Sequence, residues 1–115
     1  MLPEENRITK DYHFRRLKKH GEVIRTPFFL MNYIQNEYGV SRFGFIASSK
    51  IGNAVQRNRA TRVMREAIRH HLGEIKKGYD FVFVLNQRTI NTKSTIVERY
   101  LVETLVARKL INHTE

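Results

Sequence analysis

Between Lys50 and Arg69 the chain carries six Lys or Arg residues and one acid, Glu66. Arg59, Arg62, Arg65 and Arg69 follow one another at steps of three, three and four. That spacing stacks side chains along one side of a helix, where like charges repel by roughly a few tenths of a kcal/mol per pair. A solvated face normally mixes both signs to avoid this cost. Guanidinium groups present planar forks of N–H donors that match phosphate oxygens. The run is therefore suited to phosphate contact.

Residues for bond-breaking chemistry are scarce. The five histidines, His13, His20, His70, His71 and His113, form no H-E-x-x-H or other familiar metal spacing. There is no cysteine, which excludes disulfides, thiolate zinc sites and cysteine nucleophiles. No G-x-S-x-G or S-x-x-K motif activates a hydroxyl. Asp11 and Asp80, the only aspartates, lie far apart in sequence, so a two-metal carboxylate cluster is hard to assemble. We expect structural roles for these groups, no catalytic residue and no metal ligand.

The elements that position the arginines follow from periodicity. Residues 53–72 read as a helix with Asn53 as N-cap, and Gly73 as its stop. At about 100° per residue, Ala60, Val63, Met64, Ala67 and His71 share one arc, with Ile68 at its edge. Asn58, Arg62, Arg65 and Arg69 share the opposite arc, with Arg57 and Arg59 at the borders. A first helix is expected over 9–20, capped by Thr9 and ended by Gly21, with Tyr12, Leu17 and Phe14 as its apolar contacts. Residues 28–35 and 42–49 read as strands joined by a turn at 36–40, which predicts an antiparallel pair; a short strand at 23–25 precedes them. Tyr79–Leu85 (YDFVFVL) is an apolar run suited to a central strand covered on both faces. A final helix is expected over 92–109, burying Val97, Tyr100, Leu101 and Leu105. Helix, strands, helix, strand, helix makes an α+β sandwich with helices on a small sheet.

The 115 residues have room for one domain, taken as 1–115, and carry a formal charge of +10 with a pI near 10.3. Such an excess points to a polyanionic partner. Strands flank the arginine-rich helix on both sides, so no helix-turn-helix is present. The six Phe and Tyr between Phe28 and Phe45 suit either a core or base stacking, the core being the commoner use. No run approaches the roughly 18 apolar residues of a membrane span, and residues 1–10 hold no apolar run that could serve as a signal peptide, so none is expected. No membrane partner and a cytoplasmic location are expected. A structural RNA binder of ribosomal type shares this composition. A membrane-surface protein needs an apolar helix face left over from the core.

The segment from Lys50 to Arg69, KIGNAVQRNRATRVMREAIR, resembles the signature of the protein subunit of bacterial ribonuclease P, K-x-G-x-A-V-x-R-N-R-x-x-R-x-x-R-E. The opening LPEENRITKDYHF, the strands RFGFIASSK and GYDFVFVL, and a closing helix agree with it, so the resemblance spans nearly the whole chain. It implies a two-layer α/β sandwich like domain 2 of ribosomal protein S5, with a left-handed βαβ crossover through the arginine-rich helix. It implies a positioning role in a ribonucleoprotein endonuclease whose RNA subunit, with magnesium, removes the 5′ leader of precursor tRNA. The protein itself binds no cofactor, and one protein is expected with one RNA. The resemblance assigns RNA binding to Lys50, Asn53, Arg57, Asn58, Arg59, Arg62 and Arg65, and the basic arc of the helix adds Arg69. It assigns a cleft for the single-stranded leader to Phe14, beside which Arg15, Lys18 and Tyr33 are expected to contribute. Thr61 stands where Lys or Arg is common, Lys18 where many relatives have an aromatic, and Asn32 where some have Tyr.

Overall fold

Strand β4, Tyr79–Leu85, organises the sheet. In this computed structural model, which describes residues 2–111, β4 lies between two partners. The strand β2, Phe29–Gln35, runs antiparallel to it with Tyr33 opposite Phe81. The strand β3, Arg42–Ile46, runs parallel to it with Phe43 opposite Phe81. A short strand β1, Glu22–Arg25, pairs antiparallel with β2, so the order is β1-β2-β4-β3. Ile8 N–H donates to the Phe43 carbonyl at 2.9 Å, which covers part of the β3 edge.

The first helix, α1, is Asp11–His20; α2 is Ala54–His71; α3 is a single turn, Arg88–Asn91; α4 is Ser94–Ala107. Helices α2 and α4 pack on one face of the sheet, over Phe29, Met31, Phe43, Phe81 and Phe83. The Phe43 and Phe81 rings stack with centroids 5.2 Å apart and planes 8° from parallel. Each of these buried rings contributes about 1.5–3 kcal/mol through area removed from water. On the other face, α1 sets Leu17 against Val82 and Ile8. Two large faces of apolar side chains explain why YDFVFVL lacks alternation.

Four expectations change. First, β2 and β3 are antiparallel in direction but are not neighbours, because β4 inserts between them. The turn after β2 crosses one intervening strand, a step of about 10 Å that the loop spans easily. Second, Thr9 does not cap α1; the N-cap is Lys10, with no side-chain cap bond. Third, Tyr12 is 55 % exposed rather than packed, whereas Leu17 and His13 take the buried side of α1. Fourth, the closing helix is slightly shorter than 92–109, running Ser94–Ala107 as α4, and the separate turn α3, which was not expected, precedes it. The ends of the expected 1–115 domain, residue 1 and residues 112–115, lie outside the described residues.

A charged cluster ties α1 to the sheet. Asp80 is fully buried on β4 and accepts from Arg42 Nε at 2.8 Å, Arg42 Nη2 at 2.7 Å and Asn36 Nδ2 at 2.8 Å. The Arg42 guanidinium lies 3.0–3.1 Å from both ring nitrogens of His13. Burial, and then the Arg42 charge, hold the His13 pKa below 6.5. Asp80 is thus occupied structurally, as the sequence suggested.

Candidate nucleic-acid interface

Helix α2 begins with a capping box. The Asn53 side-chain oxygen accepts the Gln56 N–H at 2.9 Å, and the Gln56 side chain accepts the Asn53 N–H at 2.9 Å. Gly52 has φ +145, and a Cβ there would strike Gln56 Oε1, so the glycine before the cap is a steric requirement. Gln56 was not singled out in the sequence, although N-cap plus three is the place to look for it. The Asn53 oxygen assigned to RNA is already used by this cap.

Ala60, Met64, Ala67 and Ile68 are buried against the sheet and α4. Asn58, Arg59, Arg62 and Arg69 are exposed, and Arg57 and Arg65 half-buried, so the two arcs lie where the helical wheel put them. Lys50 is exposed in the turn that leads into α2. Two of the cations have partners within the chain. Arg57 Nη1 donates to the Gly52 carbonyl at 2.9 Å, and Arg69 pairs with Glu66 at 2.8 Å on the surface. Among the described residues Arg59, Arg62 and Arg65 meet no carboxylate. Three adjacent arginines on a capped helix, Arg59 and Arg62 exposed and Arg65 half-buried, are thus left without an acidic partner among the described residues.

The C-terminal end of α2 is held to α4 by histidines. His71 Nε2 lies 2.8 Å from Glu98, and its Nδ1 lies 3.0 Å from Glu74; His70 lies 3.1 Å from Glu98. Burial lowers the His71 pKa, but its bonds to Glu74 and Glu98 outweigh this and hold it above 6.5. Burial likewise pushes Glu98 up, and the bonds from His70 and His71 bring it below 4.5. The His71 contribution is therefore full below about pH 6.5, its unfolded value, and is lost as pH rises through the higher folded value. His71→Gln is expected to remove this alkaline decline from urea-unfolding stability measured between pH 6 and 9.

A second surface lies on the opposite face of the sheet. Asn32 Nδ2 donates to the Leu17 carbonyl at 3.0 Å and anchors the end of α1. Beside it opens a cleft of about 400 Å³ lined by Phe14, Arg15, Lys18 and Asn32, with Leu17, Ile46, Val82 and Val84 as its apolar walls. Ile46 and Val84 are partly exposed there. Phe14, Arg15 and Lys18 are thus brought together as expected. Tyr33 is not with them. Successive strand residues point to opposite faces, and with Asn32 toward α1, Tyr33 is buried with Phe81 on the α2–α4 side. Its hydroxyl donates to Glu22 at 2.7 Å. Ile46, Val82 and Val84 are lining residues that sequence reasoning missed, and Asn32 had been singled out only as a departure from relatives with Tyr. Gly44 was missed as well: a Cβ there would lie 2.8 Å from the Phe14 ring, so its absence seats that ring.

No helix among the described residues is long and apolar enough to cross a membrane. No three His, Asp or Glu side chains among them are grouped to hold a metal. Comparison with known proteins then places the chain. The ribonuclease P family profile matches residues 2–109. The ribonuclease P protein component of Dehalococcoides mccartyi strain CBDB1 is 32% identical over 114 residues, covering 99% of this chain and 93% of that one. That of Pelotomaculum thermopropionicum is 34% identical over 107 residues, covering 93% and 95%. The Staphylococcus aureus RNase P protein superposes with a TM-score of 0.83 at 29% identity, covering 93% of this chain and 98% of that one. The Thermotoga maritima RNase P protein gives 0.78 at 26%, covering 86% and 94%. With its capped arginine helix, its central YDFVFVL strand and these matches along nearly its full length, the chain belongs to the ribonuclease P protein family.

Proposed function

We propose that the chain is the RNA-binding subunit of ribonuclease P in the bacterial cytoplasm, acting in 5′ maturation of tRNA. The outer arc of α2 grips the phosphates of the RNA subunit. The cleft beside Phe14 holds the single-stranded 5′ leader of the precursor, with Arg15 and Lys18 on its phosphates and Phe14 against a base. One protein serves one RNA. Hydrolysis is left to the RNA, where bound magnesium would supply Lewis-acid chemistry. The protein's part is electrostatic and positional: it binds, orients and neutralises charge. The observation that carries this reading is the row Arg59, Arg62 and Arg65, which meets no carboxylate among the described residues.

Reconstitution tests it. Precursor tRNA cleavage is measured at low magnesium with a bacterial ribonuclease P RNA, with and without this protein. The protein should raise the cleavage rate and leave transcripts intact on its own. No stimulation, or cleavage by the protein alone, overturns the proposal.

The cleft makes a separate prediction. Gly44→Ala will push the Phe14 ring out of its seat, since the nearest atoms to the new methyl are at the end of that ring. Overpacking of this kind typically costs about 1–3 kcal/mol. Affinity for leader-bearing precursor should fall several-fold while affinity for mature tRNA is unchanged. Equal effects on both would take the leader out of this cleft.

A further inference from the structure

Helix α1 has a cleft on each flank, and only the Phe14 side has been given a role. The other flank is lined by Tyr12, His13, Arg16, Asn36, Glu37 and Tyr38 and encloses about 380 Å³, room for a nucleobase. The chain has five Tyr and seven Phe, and Tyr12 and Tyr38 are the ones left exposed, at 55 % and 56 %. Both rings adjoin His13, with centroids 4.1 Å and 5.8 Å from its own.

The floor beneath them is rigid. His13 is buried and lies on Arg42, which Asp80 fixes. The Arg42 guanidinium also sits 4.2 Å from the centre of the Tyr38 ring and backs one of its faces. Arg16 is held by a 3.1 Å bond from Nη2 to the Gln35 carbonyl, which leaves its other N–H donors for an outside acceptor. Exposed rings on a pre-set base, beside a cation, are the parts a single-strand binder uses.

We propose that this flank of α1 is a second seat for one unpaired RNA nucleotide, its base stacked on Tyr12 and Tyr38 and its phosphate on Arg16. Glu37 sets the polarity. Its carboxylate repels phosphate, so the phosphate lies toward Arg16 and the base toward Glu37. A carboxylate accepts from an exocyclic amino group, which favours adenine or cytosine over uracil. The proposal rests on reading the chain as an RNA-binding protein, but it concerns different residues from α2 and the Phe14 cleft.

The test uses the full chain and unstructured hexamers of adenylate and uridylate, with affinity read by fluorescence anisotropy. Tyr12→Ala and Tyr38→Ala should each weaken the adenylate hexamer about fivefold or more, as loss of a base–aromatic stack does. Tyr→Phe at either position should keep wild-type affinity, and Tyr→Leu should not. Photocrosslinking of an iodouridine-bearing hexamer should map to Tyr12 or Tyr38. Leucine variants that bind as well as phenylalanine ones would exclude stacking. An unchanged double alanine variant, with crosslinks confined to α2 and Phe14, would remove the seat. Either outcome leaves the low-magnesium cleavage test standing on its own.

Discussion

Replacing Arg59, Arg62 and Arg65 together with glutamine is expected to flatten the salt dependence of binding to the ribonuclease P RNA. Each phosphate neutralised contributes about 0.7–0.9 to the slope of log affinity against log salt, so three lost contacts remove about 2–3 from it. At roughly 0.1 M salt the same loss corresponds to about a hundredfold weaker binding or more. Arg57 stays in place because it bonds the Gly52 carbonyl at the start of the helix. Thermal stability should hold or rise, since the substitutions relieve repulsion between like charges. That pairing of results, affinity lost with stability kept, separates an RNA surface from a structural role. Binding titrations between about 50 and 500 mM salt provide the measurement, and an unaltered slope moves the RNA off this helix.

Asp80→Asn is expected to be the most destabilising single substitution near either surface. The carboxylate is saturated by donors: Arg42 Nε and Asn36 Nδ2 on one oxygen, and Arg42 Nη2 on the other. An asparagine in the same place must turn its own NH2 toward a donor, whichever way it flips. It also leaves the Arg42 charge without its counterion, in a site where the two side chains are 13% and 1% exposed. Breaking such a pair costs about 3–5 kcal/mol, a large share of a domain's total of about 5–15. Urea unfolding at pH 7 reads this directly. A loss under about 1 kcal/mol would show that the cluster is not what holds β3, β4 and α1 together.

Local signals were legible and long-range ones were not. The outer arc of α2 followed from spacing because a helix fixes its own periodicity. Asn53 announced the cap for the same reason. The central place of β4 was legible in the nearly continuous apolar run of Tyr79–Leu85, interrupted only by Asp80. The neighbour of β2 was not, because a turn reads alike whether the chain returns beside itself or steps over another strand. The error at Tyr33 has a related source. Leu30 and Ile34 on one side of β2 are as apolar as Phe29 and Met31 on the other, so nothing local says which side meets α1. Only the register with β4 decides it. Tyr12 misled because an aromatic at helical spacing suggests core, while His13 and Leu17 in fact supply that side of α1.

The order β1-β2-β4-β3 has a consequence for biosynthesis. The strand that joins the two halves of the sheet is the last to be translated. Until residues 79–85 have left the ribosome, β3 has no strand to pair with and β2 has only the four-residue β1. The nascent polypeptide meanwhile already displays the whole arginine row, so a basic, unfinished chain emerges beside ribosomal RNA. The sheet is therefore completed late, when this heptapeptide arrives and closes the gap, and α4 with Val97, Leu101 and Leu105 follows to cover it.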